Sequence, residues 1–163
     1  MVTIRSAEPR DVELIHGSIE GLARHVGMMD VLASKPANLA NALFSSDPPL
    51  RGIVAEVDSE YAGMSLFFRT YSTWFGRVGV YVQDIFVEPR FRGQHVGERL
   101  LRHVAALARA GGAAYLRLTV DAGNDSAQRF YARMGLNHGE ADQSYAAFGP
   151  AFDALADAAK LEQ

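Results

Sequence analysis

The chain of 163 residues contains no cysteine. That excludes a disulfide framework, a thiolate nucleophile, a Cys-ligated zinc and any covalent acyl-cysteine chemistry. Lysine is almost missing too, with only Lys35 and Lys160, so arginine carries nearly all the basic charge. The formal net charge is −3, which argues against general nucleic-acid affinity, because that requires a cationic surface. No apolar run reaches the ~18 residues of a membrane span. The opening Met1-Val-Thr-Ile-Arg5 reads as a strand and lacks the apolar stretch and cleavage site of a signal peptide, so a cytoplasmic location is expected. His16, His103 and His138 show no ligand spacing, and no metal site is predicted. The dinucleotide fingerprint G-x-G-x-x-G and the P-loop G-x-x-x-x-G-K-[ST] are both absent.

What is present is an ordinary globular composition, 48% hydrophobic and 21% charged, long enough for one domain with a real core. No linker, repeat or low-complexity block divides residues 1–163, which are read as a single domain. Val2 to Arg5 is a short strand. Pro9-Arg-Asp11 opens a helix whose apolar positions Val12, Ile15, Ile19, Leu22 and Val26 share one face. Pro36 starts a second helix through Phe44. Ser45-Ser-Asp-Pro-Pro49 is a turn cluster. Leu50–Val57 and Tyr61–Tyr71 form a hairpin, Val78–Val87 is a further strand, and a long helix after Val96 ends at Gly111-Gly112. Tyr115–Val120 is a strand and Asp125–Met134 a short helix capped by Asn124 or Asp125 and stopped by Gly135. A last strand includes Tyr145 to Phe148, and the alanine-rich residues 151–161 are helical in pattern.

The densest information lies at Asp84-Ile-Phe-Val-Glu-Pro-Arg-Phe-Arg-Gly-Gln-His-Val-Gly-Glu-Arg99. An apolar strand runs into a basic, glycine-bearing turn and then into an amphipathic helix. The unpaired amides and positive dipole end of a helix start bind anions, and Arg90, Arg92 and Arg99 add charge. A phosphate-bearing ligand is the natural occupant. Downstream, Asn124-Asp-Ser-Ala-Gln-Arg-Phe-Tyr-Ala-Arg-Met-Gly135 reads in two ways: as a capped helix with Phe130 packed and Gly135 as its stop, or as a second half of the ligand site.

The turn Arg92-Gly-Gln-His-Val-Gly97 resembles the R-x-x-G-x-[GA] signature of the GNAT acyltransferase superfamily, and Asn124–Gly135 resembles that family's N-x-x-[SA]-x-x-[FL]-Y-x-x-x-G segment. The resemblance covers nearly the whole chain. It implies an α/β GNAT fold: a mixed, mostly antiparallel central sheet flanked by helices. It also implies acetyl-CoA as co-substrate. Gly93, Gln94, His95, Val96, Gly97 and Glu98, with Arg92, would wrap the pyrophosphate. Ile85, Phe86 and Val87 would supply amides to the reacting carbonyl, and Asn124, Ser126 and Tyr131 would line the pantetheine arm. Tyr131 would protonate the leaving thiolate. One position departs, because His95 stands where the family's first motif glycine falls.

Phe67-Phe-Arg-Thr-Tyr-Ser-Thr-Trp-Phe-Gly76 followed by Tyr81-Val-Gln-Asp-Ile-Phe-Val87 is similar to the diamine and thialysine N-acetyltransferase branch. The implied function is acetyl transfer to a primary amine of a small molecule, by a homodimer whose contact surface is the aromatic hairpin or the C-terminal strand. The alternatives are a protein N-terminal or lysine acetyltransferase and a non-catalytic acyl-CoA-binding module. That branch carries an acidic residue where Gln83 stands, and glutamine accepts a hydrogen bond but cannot act as a base. Strand alternation sends Asp84 to the opposite face, which leaves it either bracing the fold or meeting substrate. The amine's proton then leaves through water, through His25 or Asp84, or before binding, and the last is favoured. Asp30 is the one carboxylate in the segment Arg24–Asp30, so a small amine or amino acid is expected rather than a long polycation.

Overall fold

A computed structural model describes residues 1–139 and 146–158. The chain forms two compact units, Met1–Asp125 and Ser126–Gln163. The first holds a five-stranded sheet in the order β1 (Val2–Ser6), β2 (Arg51–Val57), β3 (Glu60–Ser72), β4 (Arg77–Val87), β5 (Leu116–Leu118). The first four strands are antiparallel neighbours and β5 runs parallel to β4. This is the mixed, mostly antiparallel sheet of the expected fold. The helices of this unit are α1 (Val12–His25), α2 (Pro36–Phe44) and α3 (Val96–Ala110).

Both sheet faces are covered, which is why the central strands read as near-continuous apolar runs. On one face Val54, Met64, Leu66 and Phe86 pack against Val12 and Ile15 of α1 and Leu39 and Leu43 of α2. Strand residues of the opposite parity, Ile53, Ala55, Phe67, Val80 and Val82, are also buried, as are Val96, Leu100, Leu101 and Val104 of α3. α1 lies very close to β4: a Cβ on Gly21 would stand 2.9 Å from the Phe86 ring. The entry to α1 is a single 3₁₀ turn, Pro9–Asp11, and the proline at the first position of α2 fits its missing N–H to a helix start.

Two strand irregularities depart from simple alternation. β3 carries one extra residue, Ala62, opposite β2, since Ala55 pairs with Gly63 and Glu56 with Tyr61. β4 carries another, Gln83: Phe67 pairs with Val82 and Leu66 with Asp84, leaving Gln83 between them. β5 is shorter than the sequence pattern, three residues rather than six.

The second unit contains most of α4 (Asp125–Arg133) and all of α5 (Pro150–Ala158). α4 ends as its sequence predicts. Gly135 takes a left-handed φ of 84°, and bonds from Gly135 N–H to Ala132 O and Leu136 N–H to Tyr131 O close the helix. The strand expected from Tyr145 to Phe148 falls partly on residue 145, outside the described residues; residues 146–148 carry no regular structure. The helical pattern of 151–161 is realised through Ala158, and its remainder lies outside the described residues.

Candidate active site

The Gln83 bulge reorders the chemistry of β4. In an unbroken strand Val82 and Asp84 would share a face. Here Val82 pairs with Phe67, while Asp84 pairs with Leu66 and so joins Leu66 and Phe86 on the face covered by α1 and α2. A bulge of this kind re-aims side chains and interrupts pairing. The expectation of simple alternation between Gln83 and Asp84 therefore gives way to a local phase change. Gln83 is exposed and Asp84 is half-buried.

Asp84 is electrostatically unusual. Burial raises its pKa above the ordinary carboxylate value. Among the described residues no hydrogen bond or ion pair reaches its carboxylate; the bond that Ser65 Oγ donates, at 3.1 Å, goes to the Asp84 backbone carbonyl. His25, the other candidate base, ends α1 and is exposed. Among the described residues no cluster of three His, Asp or Glu side chains has metal-binding geometry.

Beyond the bulge the outer edge of β4 has no strand neighbour among the described residues. The β4–β5 ladder consists of Val80–Leu116, Tyr81–Arg117 and Val82–Leu118. Ile85, Phe86 and Val87 follow without a β5 partner, so part of their backbone is free to bond something else. The strand then meets the basic turn. Arg92 Nε donates to Val87 O at 3.1 Å, and the Arg92 guanidinium lies 5.9 Å from the Phe86 ring centre. Arg90 and Arg99, counted with the turn in the sequence, are held elsewhere: Arg90 by Glu60 at 2.8 Å, and Arg99 by Val2 O at 3.2 Å.

The turn itself uses two left-handed residues, Gly93 at φ 79° and His95 at φ 60°, ψ 14°. His95 is the residue before α3. The first helical bond runs from Arg99 N–H to His95 O, so the amides of Val96, Gly97 and Glu98 start the helix without a helical acceptor. The family's glycine at this position matches the backbone conformation. Histidine is among the few other side chains found there. The imidazole is turned along the helix, with Nδ1 3.0 Å from Glu98 Oε2, and Glu98 also pairs with Arg102 at 2.7 Å. The contact with His95, then Arg102, holds the Glu98 carboxyl below its usual range.

The residues expected at the site thus fall in two places. Gln83–Val87 and Arg92–Glu98 come together at the C-terminal end of β4 in the first unit, and Asn124 lies near the end of that unit, its amide bonded to Asp121 O. Ser126 and Tyr131 stand on α4 in the second unit. Tyr131 is partly buried, its ring edge-on to Phe130 at 5.2 Å, and burial pushes its phenol up to about 12. A phenol in that state stays protonated at neutral pH.

The model of the Acetyltransferase (GNAT) family matches residues 24–136. The chain belongs to this family. It is 32% identical to thialysine N-epsilon-acetyltransferase of Bos taurus over 142 residues, 82% of this chain and 83% of that protein. It is 30% identical to aminoalkylphosphonate N-acetyltransferase of Salmonella typhimurium, over 81% of this chain and 82% of the relative. Among solved structures, an integron cassette protein from the mobile metagenome of V. cholerae superposes with a TM-score of 0.77 at 24% identity, covering 95% of this chain and 97% of that one. An aminoglycoside acetyltransferase from a soil metagenome, solved with sisomicin, gives 0.74 at 14% identity over 91% and 97%. These two likenesses concern the fold. As a family member with N-acetyltransferase relatives of matching length, the protein is an N-acetyltransferase.

Proposed function

We propose that this enzyme transfers the acetyl group of acetyl-CoA directly to a primary amine of a small molecule, with Asp84 as the group that receives the amine's proton. The observation that carries the Asp84 assignment is a desolvated carboxylate, without a partner among the described residues, just past the end of the β4–β5 ladder. A carboxyl shifted upward by burial is a better proton acceptor than an ordinary one at the same distance. Gln83, exposed on the bulge, can accept a hydrogen bond from the amine but cannot take its proton.

The residues on β4 and the turn fit the co-substrate. Arg92, Gly93 and Gln94, with the leading amides of α3 at Val96, Gly97 and Glu98, suit a pyrophosphate; His95 shapes that turn. The stretch Ile85–Val87, paired with β3 but without a β5 partner, suits an extended amide-bearing arm and an oxyanion. Asn124 and Ser126 are assigned to the same arm by the family motif. Acetyl-CoA supplies an activated thioester. Tyr131, protonated at neutral pH, is assigned to deliver its phenolic proton to the departing sulfur, an attribution that rests on the motif Asn124–Gly135.

The acceptor proposed is a small monoamine, diamine or amino acid. The thialysine and aminoalkylphosphonate relatives support a compact amine. Asp30 is the one carboxylate of the segment Arg24–Asp30, which favours a compact amine over a long polycation. A homodimer is also proposed, supported by the hairpin that leaves Tyr71, Trp74 and Phe75 exposed. Among the described residues no helix is long and apolar enough to cross a membrane, and a cytoplasmic location is proposed.

The test is thiol release from acetyl-CoA across polyamines, amino acids, aminoalkylphosphonates and aminoglycosides, with acetylated product identified by mass. Turnover with a small amine is expected, and Tyr131→Phe should lower kcat by roughly 10²–10⁴-fold with little change in cofactor affinity. Tight acetyl-CoA binding with no release from any amine would instead favour a binding module, and turnover confined to peptides a protein acetyltransferase.

A further inference from the structure

We propose that the hydroxyl pair Tyr81–Thr119 closes the apex of the β4–β5 parting and makes the enzyme selective for the shortest acyl chains. This rests on the reading of the parting as the acyl-CoA channel and adds what that channel discriminates. The pairing of β4 with β5 ends at Val82–Leu118, and Thr119 is the first residue of the departing chain. Tyr81 OH is hydrogen-bonded to Thr119 Oγ1, tying the two segments where they separate. Tyr81 is itself fixed, its ring 5.3 Å from that of Phe68, its cross-strand partner.

Register places this tie on one face of the sheet. Tyr81 pairs with Phe68 and aligns with Arg117, and Thr119 follows Arg117 by two residues, so Tyr81 and Thr119 share that face. The other face of the apex is filled by Val82, 2% exposed, and the partly buried Leu118. Side chains therefore flank the parting on both faces at one level, with the exposed Thr119 tied to Tyr81 on one of them.

Length decides what meets that tie. From Val87, where Arg92 ties the basic turn to the strand, back to Val82 is four ladder steps, matching Gly63 to Phe67 on β3 because Gln83 is bulged out, about 14 Å of strand. The arm between the phosphate and sulfur of CoA has about thirteen bonds, roughly 16 Å when extended. With the pyrophosphate at the turn, the arm is long enough to bring the thioester to the apex, where its acyl tail faces the Tyr81–Thr119 tie. An acetyl group ends there. Each added methylene must part the two hydroxyls or bend the chain.

The test is a binding and turnover series with acetyl-, propionyl- and butyryl-CoA on wild type, Thr119→Val, Thr119→Ser and Tyr81→Phe. Calorimetry gives the affinities without any acceptor. Wild type should bind and use butyryl-CoA at least about tenfold less well than acetyl-CoA. Thr119→Val keeps the bulk and loses the hydroxyl, and Tyr81→Phe keeps the ring and loses its own. Both should raise the butyryl-to-acetyl ratio by about tenfold, in affinity as well as kcat/KM. Thr119→Ser keeps the hydroxyl and should select as wild type does. A merely structural role would weaken all acyl-CoAs alike and leave the ratio unmoved, which would overturn the inference. Equal handling of butyryl- and acetyl-CoA by wild type would overturn it too, with the acetyltransfer reading intact. Failure of wild type to bind any acyl-CoA would remove both.

Discussion

Asp11, at the β1–α1 corner, and Asp84, on the β4 bulge, are the same chemical group, both withdrawn from bulk water in the same unit, and they shift in opposite directions. Burial alone would raise both. At Asp11 the environment answers it: Arg5 donates to both carboxylate oxygens, at 2.7 and 2.9 Å, and the Glu8 amide adds a bond at 2.7 Å. These hold the Asp11 carboxyl below the usual range despite its desolvation. The Arg5 guanidinium, also bound by Glu56, shifts up in return. At Asp84 nothing among the described residues answers the burial, and the carboxyl shifts up. Satisfied polar groups lock a fold, whereas an unsatisfied one costs stability and is kept where it does work. The corner is thus built for stability, and the bulge is consistent with the reaction site proposed above.

The largest effect that should separate the two regions is on turnover. Asp84→Asn keeps shape and removes the proton acceptor, so kcat/KM for a good amine should fall by roughly 10²–10⁴-fold. The same variant should unfold at equal or higher urea concentration than wild type, because an uncompensated buried charge is gone. A loss of stability parallel to the loss of rate would mean that Asp84 braces the sheet, and the contrast with Asp11 would collapse.

Asp11→Asn should do the reverse. It removes one partner from a desolvated pair, which costs about 2–4 kcal/mol after allowing for the quarter-exposed Arg5 and its remaining bond to Glu56. Urea unfolding should show this loss, while kcat per folded molecule stays within about twofold of wild type.

Titration sharpens the comparison further. Asp11 is depressed in the folded state, so its contribution is present above the unfolded carboxylate value near 4 and is lost as pH falls through the folded one. Asp84 is raised, so its term is fully favourable below about 4 and is lost as pH climbs through its folded value. The stability advantage of Asp84→Asn over wild type should therefore grow with pH and then level off. The wild-type kcat/KM should rise through an inflection in that same interval and keep its position when the amine is changed. An inflection that follows the amine's own pKa would mean that the acceptor arrives neutral, as the sequence favours.

Most of the scaffold is legible in the sequence because local signals coincide there with tertiary demand. Pro36 to Phe44 is a helix in both readings, and α3 begins at Val96 and stops at Gly111 where its apolar period does. The bulge is different in kind. Nothing between Tyr81 and Val87 announces an extra residue, because the register shift belongs to the pairing of Leu66 and Phe67 rather than to β4 alone. The face of Asp84, and with it the case for a protein base, was therefore out of reach of alternation. The shared basic charge of Arg90, Arg92 and Arg99 was visible, but their division among Glu60, Val87 and Val2 depends on partners far away in sequence. The Tyr81–Thr119 tie is hidden for the same reason, since its two members lie on different strands.

The smallest expected effect concerns His95, where the motif departs from glycine. A non-glycine residue in the left-handed region costs about 1 kcal/mol or more, and glycine there returns part of that as chain entropy in the unfolded state. His95→Gly should thus raise stability by about 0.5 kcal/mol. The imidazole is exposed and engaged with Glu98 along the helix, so its removal takes away no interaction aimed into the turn. Acetyl-CoA affinity should stay within about twofold or tighten slightly as the turn gains freedom. A severalfold weakening, measured by calorimetry against the urea midpoint of the same variant, would show that the imidazole reaches the pyrophosphate when the ligand is bound. The His95–Glu98 pair would then be a resting position, and Glu98→Gln, by releasing the imidazole, should strengthen binding where His95→Gly weakens it.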